Sequence, residues 1–332
     1  MQFQSLPKGF VLAKPIAQEG YDEKVIYQLD EQGRLVITRK RDGWKLLVLI
    51  TSTGEIKIYT DGINEIDSRL DHIKEEIKKL NLPGNTLIVG EAIIETWGMD
   101  EYTQIISFFH SNTDKAMAIQ ERIGKVKLMI FAIIPLDLES PLSWYTTFES
   151  LDIRLGSFKP GFKYIKMVQV MNCTYNEAKS IVETHGWEGL VLYDKEYQLT
   201  YRLDGKNPKR PAGCYKWKPV LEDDFIAKEK IWHQINCRSR SQGSGKVLKE
   251  LVLFQIDSAT GQEFECGKMG TFNNETRAKF GKKPLPFVVK LEFETRFAKT
   301  GKFRNARFIG LRTDKEVADC VSPKSYPEAI FK

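Results

Sequence analysis

Lys40-Arg41-Asp42-Gly43 places a lysine two residues ahead of an aspartate and then a glycine. On an extended backbone, residues i and i+2 point to the same side, so the Lys40 amine and the Asp42 carboxylate share a face. Gly43 leaves room for a ligand to come close to the backbone. A lysine is a nucleophile only when neutral. Its ordinary pKa is about 10.4, so cationic neighbours, a metal or desolvation must help it lose its proton. The plain alternative for so short a motif is a charged hairpin turn.

Four other places repeat this kind of signal. Glu91 interrupts the apolar run Leu87 to Ile94. An unpaired charge in a buried strand is costly, so a cation or a ligand hydroxyl should meet it, unless it sits at a solvent-facing strand end. Glu188 precedes Gly189-Leu190-Val191-Leu192, either as a placed carboxylate or as an ordinary polar strand start. Lys216-Trp217-Lys218 sets two ammonium groups on one face, where they repel unless an anion such as phosphate lies between them. The alternative there is an edge strand blunted by lysine. Arg312-Thr313-Asp314-Lys315, preceded by Lys302, Arg304 and Arg307, reads in isolation as a charged surface ribbon.

The elements needed to hold these residues are legible. Leu35 to Lys40 and Trp44 to Ile50 read as strands around an Asp-Gly turn, with Glu55 to Tyr59 as a third strand. Residues 64–80 carry Ile66, Leu70, Ile73, Ile77 and Leu80 at helical spacing. Thr86 to Ile94 and Val126 to Ile134 read as apolar strands. Thr174 with Glu177 predicts a capping box opening a helix that Gly186 closes, before a strand over Leu190 to Tyr193. Beyond Pro219 strand-like runs recur at 224–228, 251–256, 287–294 and 306–312, with little helical periodicity. That pattern predicts a small β-barrel. The boundary falls at 219–222, dividing 1–220 from 221–332.

Composition fits two globular domains in 332 residues, with 42% hydrophobic and 28% charged residues. Residues 1–220 hold 29 basic and 29 acidic side chains, whereas residues 221–332 hold 21 and 15. The basic excess lies in the tail module, where a polyanion would be held; a merely soluble surface is the alternative. Cys173, Cys214, Cys237, Cys266 and Cys320 form no C-x-x-C pair, so a structural zinc site is not expected. Reduced thiols and a cytoplasmic setting are expected, and no membrane span. Residues 233–249, with Arg238, Arg240, Lys246 and Lys249, read as a polar flexible loop. It either folds onto a phosphate backbone or is an untethered surface excursion.

In order along the chain, K-x-D-G, G-E in a buried strand, an aromatic strand, E-G-L, K-x-K and R-x-D-K make up the motif series of the covalent nucleotidyltransferases. From about Leu12 to Lys315 the chain closely resembles a minimal ATP-dependent DNA ligase of the bacteriophage and viral type. The resemblance implies an α+β fold: a nucleotidyltransferase (adenylation) domain with antiparallel sheets and helices over 1–220, then a small oligonucleotide-binding (OB) barrel over 221–332. It implies sealing of 5′-phosphate/3′-hydroxyl nicks in DNA replication, repair and recombination, with ATP and Mg²⁺ as cofactors and AMP carried covalently on Lys40. The partner would be nicked duplex DNA, encircled by a monomer in the cytoplasm, the host's if the protein is viral.

Residue by residue, the resemblance makes Lys40 the nucleophile and puts Asp42 near the ribose. It has Thr38 contact adenine, Phe131 stack on it and Lys45 sit at a phosphate. Glu91 would bind ribose or metal, Glu188 the metal, and Lys216 and Lys218 the phosphates. Arg312 and Lys315 would orient the leaving pyrophosphate. Three departures stand out. Lys45 replaces the usual arginine, Asp61 lies where many ligases have a Ser-Arg pair, and Ala132 follows Phe131 where aspartate is common. A capping guanylyltransferase, an RNA ligase and a non-catalytic nucleic-acid-binding protein with a degenerate transferase core are the rivals. An NAD-dependent ligase is not expected.

Overall fold

The computed structural model describes residues 2–96, 99–137, 142–157, 161–208, 210, 212–235, 245–297 and 300–324. The chain forms two compact units: Met1–Glu183 with Trp187–Lys218, and Pro219–Lys332 with Thr184–Gly186.

In the first unit, a five-stranded sheet runs in the order Ile56–Thr60, Trp44–Ile50, Thr86–Ile93, Lys127–Pro135, Ile165–Met167. Neighbours are antiparallel except the last pair, which is parallel. A smaller antiparallel sheet runs Cys214–Trp217, Gly189–Asp194, Leu35–Lys40. The central strands are apolar at nearly every position because both faces are covered. Leu47, Leu49, Leu87 and Val89 on one face share a core with Val36, Tyr193 and Cys214 of the small sheet. Leu46, Val48, Ile88 and Ala92 on the other pack with Ile73, Ile77, Ile105, Phe108 and Ala116. Those partners lie on helices Asp71–Lys79, Tyr102–His110 and Thr113–Ile123. The outer face of the small sheet, Ile37, Leu190 and Leu192, packs on Ile26 of helix Glu23–Glu31 and on Tyr175, Ala178 and Val182 of helix Tyr175–His185. Helix, sheet, sheet and helix thus stack in four layers.

The helix expected over 64–80 is shorter. Asp67 caps a 3₁₀ turn at Ser68–Leu70, accepting from the Arg69 amide, and the α-helix proper is Asp71–Lys79. The capping box at Thr174 forms: its amide donates to Glu177 at 2.8 Å and its hydroxyl accepts from the Glu177 amide at 3.4 Å.

The second unit is built on one sheet in the order Glu263–Met269, Gly245–Asp257, Leu221–Ile235, Phe287–Phe293, Arg307–Arg312, with Val321–Ser322 added to Gly245–Asp257. Its core is rich in phenylalanine: Phe225, Phe264, Phe272, Phe280, Phe287 and Phe293. Among the described residues this ladder is open, with no pairing between its first and last strands, so a closed barrel is not shown. Helix Asn274–Lys282, capped by Asn273, was not expected; it buries one large side chain, Phe280, and so leaves no periodic apolar stripe to read. The loop expected over 233–249 is largely something else at its flanks. His233–Ile235 and Gly245–Val247 pair as strand, while 236–244, with Arg238 and Arg240, lie outside the described residues.

Among the described residues no helix is long and apolar enough to cross a membrane. Cys173, Cys214, Cys266 and Cys320 are free thiols.

Candidate active site

Strand Leu35–Lys40 belongs to the small sheet, with a further isolated bridge from Thr38 to Val170, and Trp44–Ile50 belongs to the large one. Arg41-Asp42-Gly43 is therefore not a hairpin turn but a crossing from one sheet to the other. Gly43 is required by packing: a Cβ there would lie 2.2 Å from the Ala92 carbonyl oxygen and 2.9 Å from Glu91 Cγ. The strand Thr86–Ile93, rather than a ligand, occupies the space the missing side chain leaves.

Register brings distant motifs together. Val191 pairs with Thr38 on one side and Lys216 on the other, so the three form a row across the small sheet. All three line a cavity of about 300 Å³. The buried Thr38 hydroxyl donates to the Val191 carbonyl at 3.1 Å. Two residues along, Lys40 faces Gly189. Gly189 has φ +150°, and a Cβ on it would meet the Trp217 carbonyl oxygen at 2.2 Å, so the lysine strand and the Lys216-Trp217-Lys218 strand close on it without a side chain between.

Glu188, next to that glycine, joins two lysines. Its Oε2 accepts from Lys40 Nζ at 2.5 Å, and its Oε1 pairs with Lys218 Nζ at 2.9 Å. Burial alone would raise the Glu188 carboxyl, but Lys40 and Lys218 hold it below its ordinary value. For Lys40, burial works to lower the ammonium, and Glu188, Glu91 and Asp42 outweigh it and hold it above its ordinary value. Glu91 lies on strand Thr86–Ile93 opposite Lys45 and lines the same cavity. Desolvation, partly offset by Lys40, pushes its carboxyl up to about 8. Lys45 Nζ donates to Asp61 at 2.9 Å, and Lys14 reaches the same carboxylate at 3.3 Å. Asp61 thus balances two lysines in the cavity lining; burial would raise its carboxyl, but Lys45 and Lys14 hold it below its ordinary value.

The lining also includes apolar side chains: Leu12, Phe131, Trp144, Val168 and Leu199. Phe131 owes its place to a β-bulge: Val89 pairs with Ala132 and Gly90 with Ile130, so Phe131 is the extra residue on its strand. Its carbonyl accepts from the Trp144 indole at 2.7 Å, and Trp144 stacks on Tyr193 with centroids 3.8 Å apart. Neither Trp144 nor Tyr193 was singled out from sequence, because nothing local marks a pair 49 positions apart. The same holds for Arg39 and Arg41, which flank Lys40, are buried, and pair with Asp100.

Of the residues expected at a site, Thr38, Lys40, Lys45, Glu91, Phe131 and Lys216 line the cavity. Glu188 and Asp42 act on Lys40 through the ion pair and charge above, and Lys218 shares the Glu188 carboxylate. Arg312 and Lys315 belong to the second unit. There Arg312 is gripped by Asp224 at 2.9 Å and by Asp314 at 2.8 Å, and Lys315 is exposed.

Among the described residues no three His, Cys, Asp or Glu side chains gather as a metal cage. Glu91 and Glu188 offer the hard oxygen donors that Mg²⁺ takes when it binds through one or two carboxylates plus substrate phosphate. The donor set fits that ion.

No family model matches the sequence, and no curated protein matches it. Solved structures do. A Lig E DNA ligase, described as binding DNA with a minimal scaffold, is 18% identical with a TM-score of 0.61, over 93% of this chain and all of that one. The protein named Pmar-Lig_Pre is 18% identical with a TM-score of 0.64, over 91% of this chain and 68% of its own. A second form, Pmar-Lig_PreS3, is 16% identical with a TM-score of 0.63, over 90% and 67%. The likeness is one of fold: this chain shares the fold of minimal nucleotidyltransferase-type ligases.

Proposed function

We propose that this chain is an ATP-dependent DNA ligase that carries AMP on Lys40 and seals 5′-phosphate/3′-hydroxyl nicks in duplex DNA. The observation that carries the reading is the junction of Lys40, Glu188 and Lys218, 2.5 and 2.9 Å apart, beside a cavity of about 300 Å³ lined by both charged and apolar side chains. Such a cavity falls at the lower end of ordinary small-ligand sites. Its apolar lining suits a nucleobase and its lysines a phosphate chain.

Lys40 attacks the α-phosphorus of ATP as a neutral amine. An N–P bond forms, the P–O bond to the β-phosphate breaks, pyrophosphate leaves and the nitrogen loses its remaining extra proton. AMP then passes to the 5′-phosphate of the nick, and the 3′-hydroxyl displaces it. Lys40 becomes reactive only after its ion pair with Glu188 is broken. Glu188 and Glu91 would hold Mg²⁺, which when bound supplies positive charge at the reacting phosphate. Lys216 and Lys218 grip the phosphates, Lys45 meets them as well, Thr38 and Phe131 hold adenine, and Asp42 lies toward the ribose. The second unit, read as an OB-type module with the basic excess, holds DNA as the monomer encircles it. For Arg312 and Lys315 to orient pyrophosphate, Arg312 must exchange Asp224 and Asp314 for the phosphate.

Radiolabelled ATP, GTP and NAD test this directly. Label on the protein from ATP alone, followed by sealing of nicked DNA, is expected. Label from GTP would make it a capping-type enzyme, sealing confined to RNA an RNA ligase, and no label a binding protein.

Phe131 gives a second prediction. Base stacking is worth about 1–3 kcal/mol, so Phe131→Leu should raise the ATP concentration needed for half-maximal labelling by roughly fivefold or more, with little change in melting temperature. A core residue would show the reverse: a lower melting temperature and ATP use altered only in step with it.

A further inference from the structure

Lys40 is flanked by two buried guanidiniums, Arg39 and Arg41, 6% and 7% exposed. Both residues, like Lys40, contribute to the lining of the cavity. Burying two such charges around one residue is tolerable only if both are paired. Arg41 Nη2 donates to Asp100 Oδ1 at 2.5 Å and to Glu95 at 2.7 Å. Arg39 reaches the other Asp100 oxygen at 3.8 Å, and its guanidinium lies 4.3 Å from the centre of the Trp187 ring. That same oxygen, Oδ2, accepts the backbone N–H of Asp42 at 2.9 Å. Asp100 itself is nearly buried, and its short strand pairs with Glu95–Thr96. Glu95 is in turn anchored by Lys127 at 2.9 Å.

One carboxylate therefore ties residues 39, 41 and 42, three of the four positions around the lysine, at the point where the chain crosses between sheets without a ladder to guide it. We infer that Asp100 is a positioning residue: it fixes the backbone on both sides of Lys40 so that the amine and Asp42 meet the nucleotide in a reactive alignment. Asp100 is not among the residues that line the cavity. The inference rests on Lys40 being the nucleophile.

The test is single-turnover labelling of the full chain by radiolabelled ATP. Asp100→Asn keeps the shape and an acceptor for the Asp42 amide but loses the charge. The labelling rate should fall about 100-fold, the scale on which small misalignments of reacting groups act, while the ATP concentration for half-maximal rate stays in place. Arg41→Met combined with Asp100→Asn should recover part of the rate, because the stranded guanidinium leaves with its partner. If Asp100→Asn fails to fold, Asp100→Glu retains the charge one methylene further out and should fold and label slowly. Wild-type labelling rates in the folded variants, with only a lowered melting temperature, would overturn the inference and leave Asp100 a structural residue. No labelling of the unsubstituted chain would instead overturn the reading of Lys40, and this inference with it.

Discussion

Lys40→Ala abolishes transfer of label from ATP to the protein, a loss of at least about 10⁴-fold, as expected when a covalent nucleophile is deleted. The same variant still seals a nick supplied with AMP already on its 5′-phosphate, because that step needs no lysine nucleophile. The two halves of this result belong together. A variant that failed in both would point to misfolding, and the structure argues against that: besides Lys40, Glu188 has a second cationic partner in Lys218, 2.9 Å away. Lys40→Arg fails in the first assay as completely, since guanidinium stays protonated at any working pH. Label taken up by the alanine variant, measured by gel autoradiography, would remove Lys40 from the mechanism.

The residues in that argument were legible because strand geometry is a local rule. Lysine and aspartate, like the paired lysines of 216–218, are two apart, and period two gives such residues one face where the backbone stays extended; here the strands end at Lys40 and Trp217. Apolar runs likewise marked Thr86–Ile93 and Lys127–Pro135 as strands covered on both sides. What stayed hidden depends on pairing between distant segments. Nothing in Arg41-Asp42-Gly43 says that the two strands it joins lie in different sheets, so the crossing looks like a hairpin and Gly43 looks like a ligand contact. Phe131 is singled out only through the family resemblance; what the residues themselves do not show is the one-residue bulge against Val89 and Gly90 that sets its place. Asp100 is 58 positions from the amide it holds, and Trp144 contacts Tyr193 only through the sandwich. In the second unit, strand Glu263–Met269 carries Glu265 and Lys268 between its apolar positions, which breaks the run a sequence pattern would need.

Glu188 separates two roles that give opposite results. Its carboxylate binds Lys40 and Lys218 at once, and together with Glu91 and Asp42 it holds the Lys40 ammonium above its ordinary value. Were that grip its whole function, Glu188→Ala would release the amine and labelling by ATP would speed up. If Glu188 holds Mg²⁺, the same change removes an oxygen donor that Glu91 alone does not replace, and labelling falls on the order of 100-fold or more at ordinary Mg²⁺. The second result is expected. Raising Mg²⁺ should recover part of the activity, and Glu188→Asp, with its carboxylate one methylene short, should retain far more than the alanine variant. Removing one member of a largely buried ion pair also destabilises, by up to about 3–5 kcal/mol where burial is complete. Melting curves must therefore accompany the rates, and labelling be measured well below the transition. Near-normal labelling of a folded Glu188→Ala at ordinary Mg²⁺ would take the metal away from this carboxylate and leave it as the restraint on Lys40.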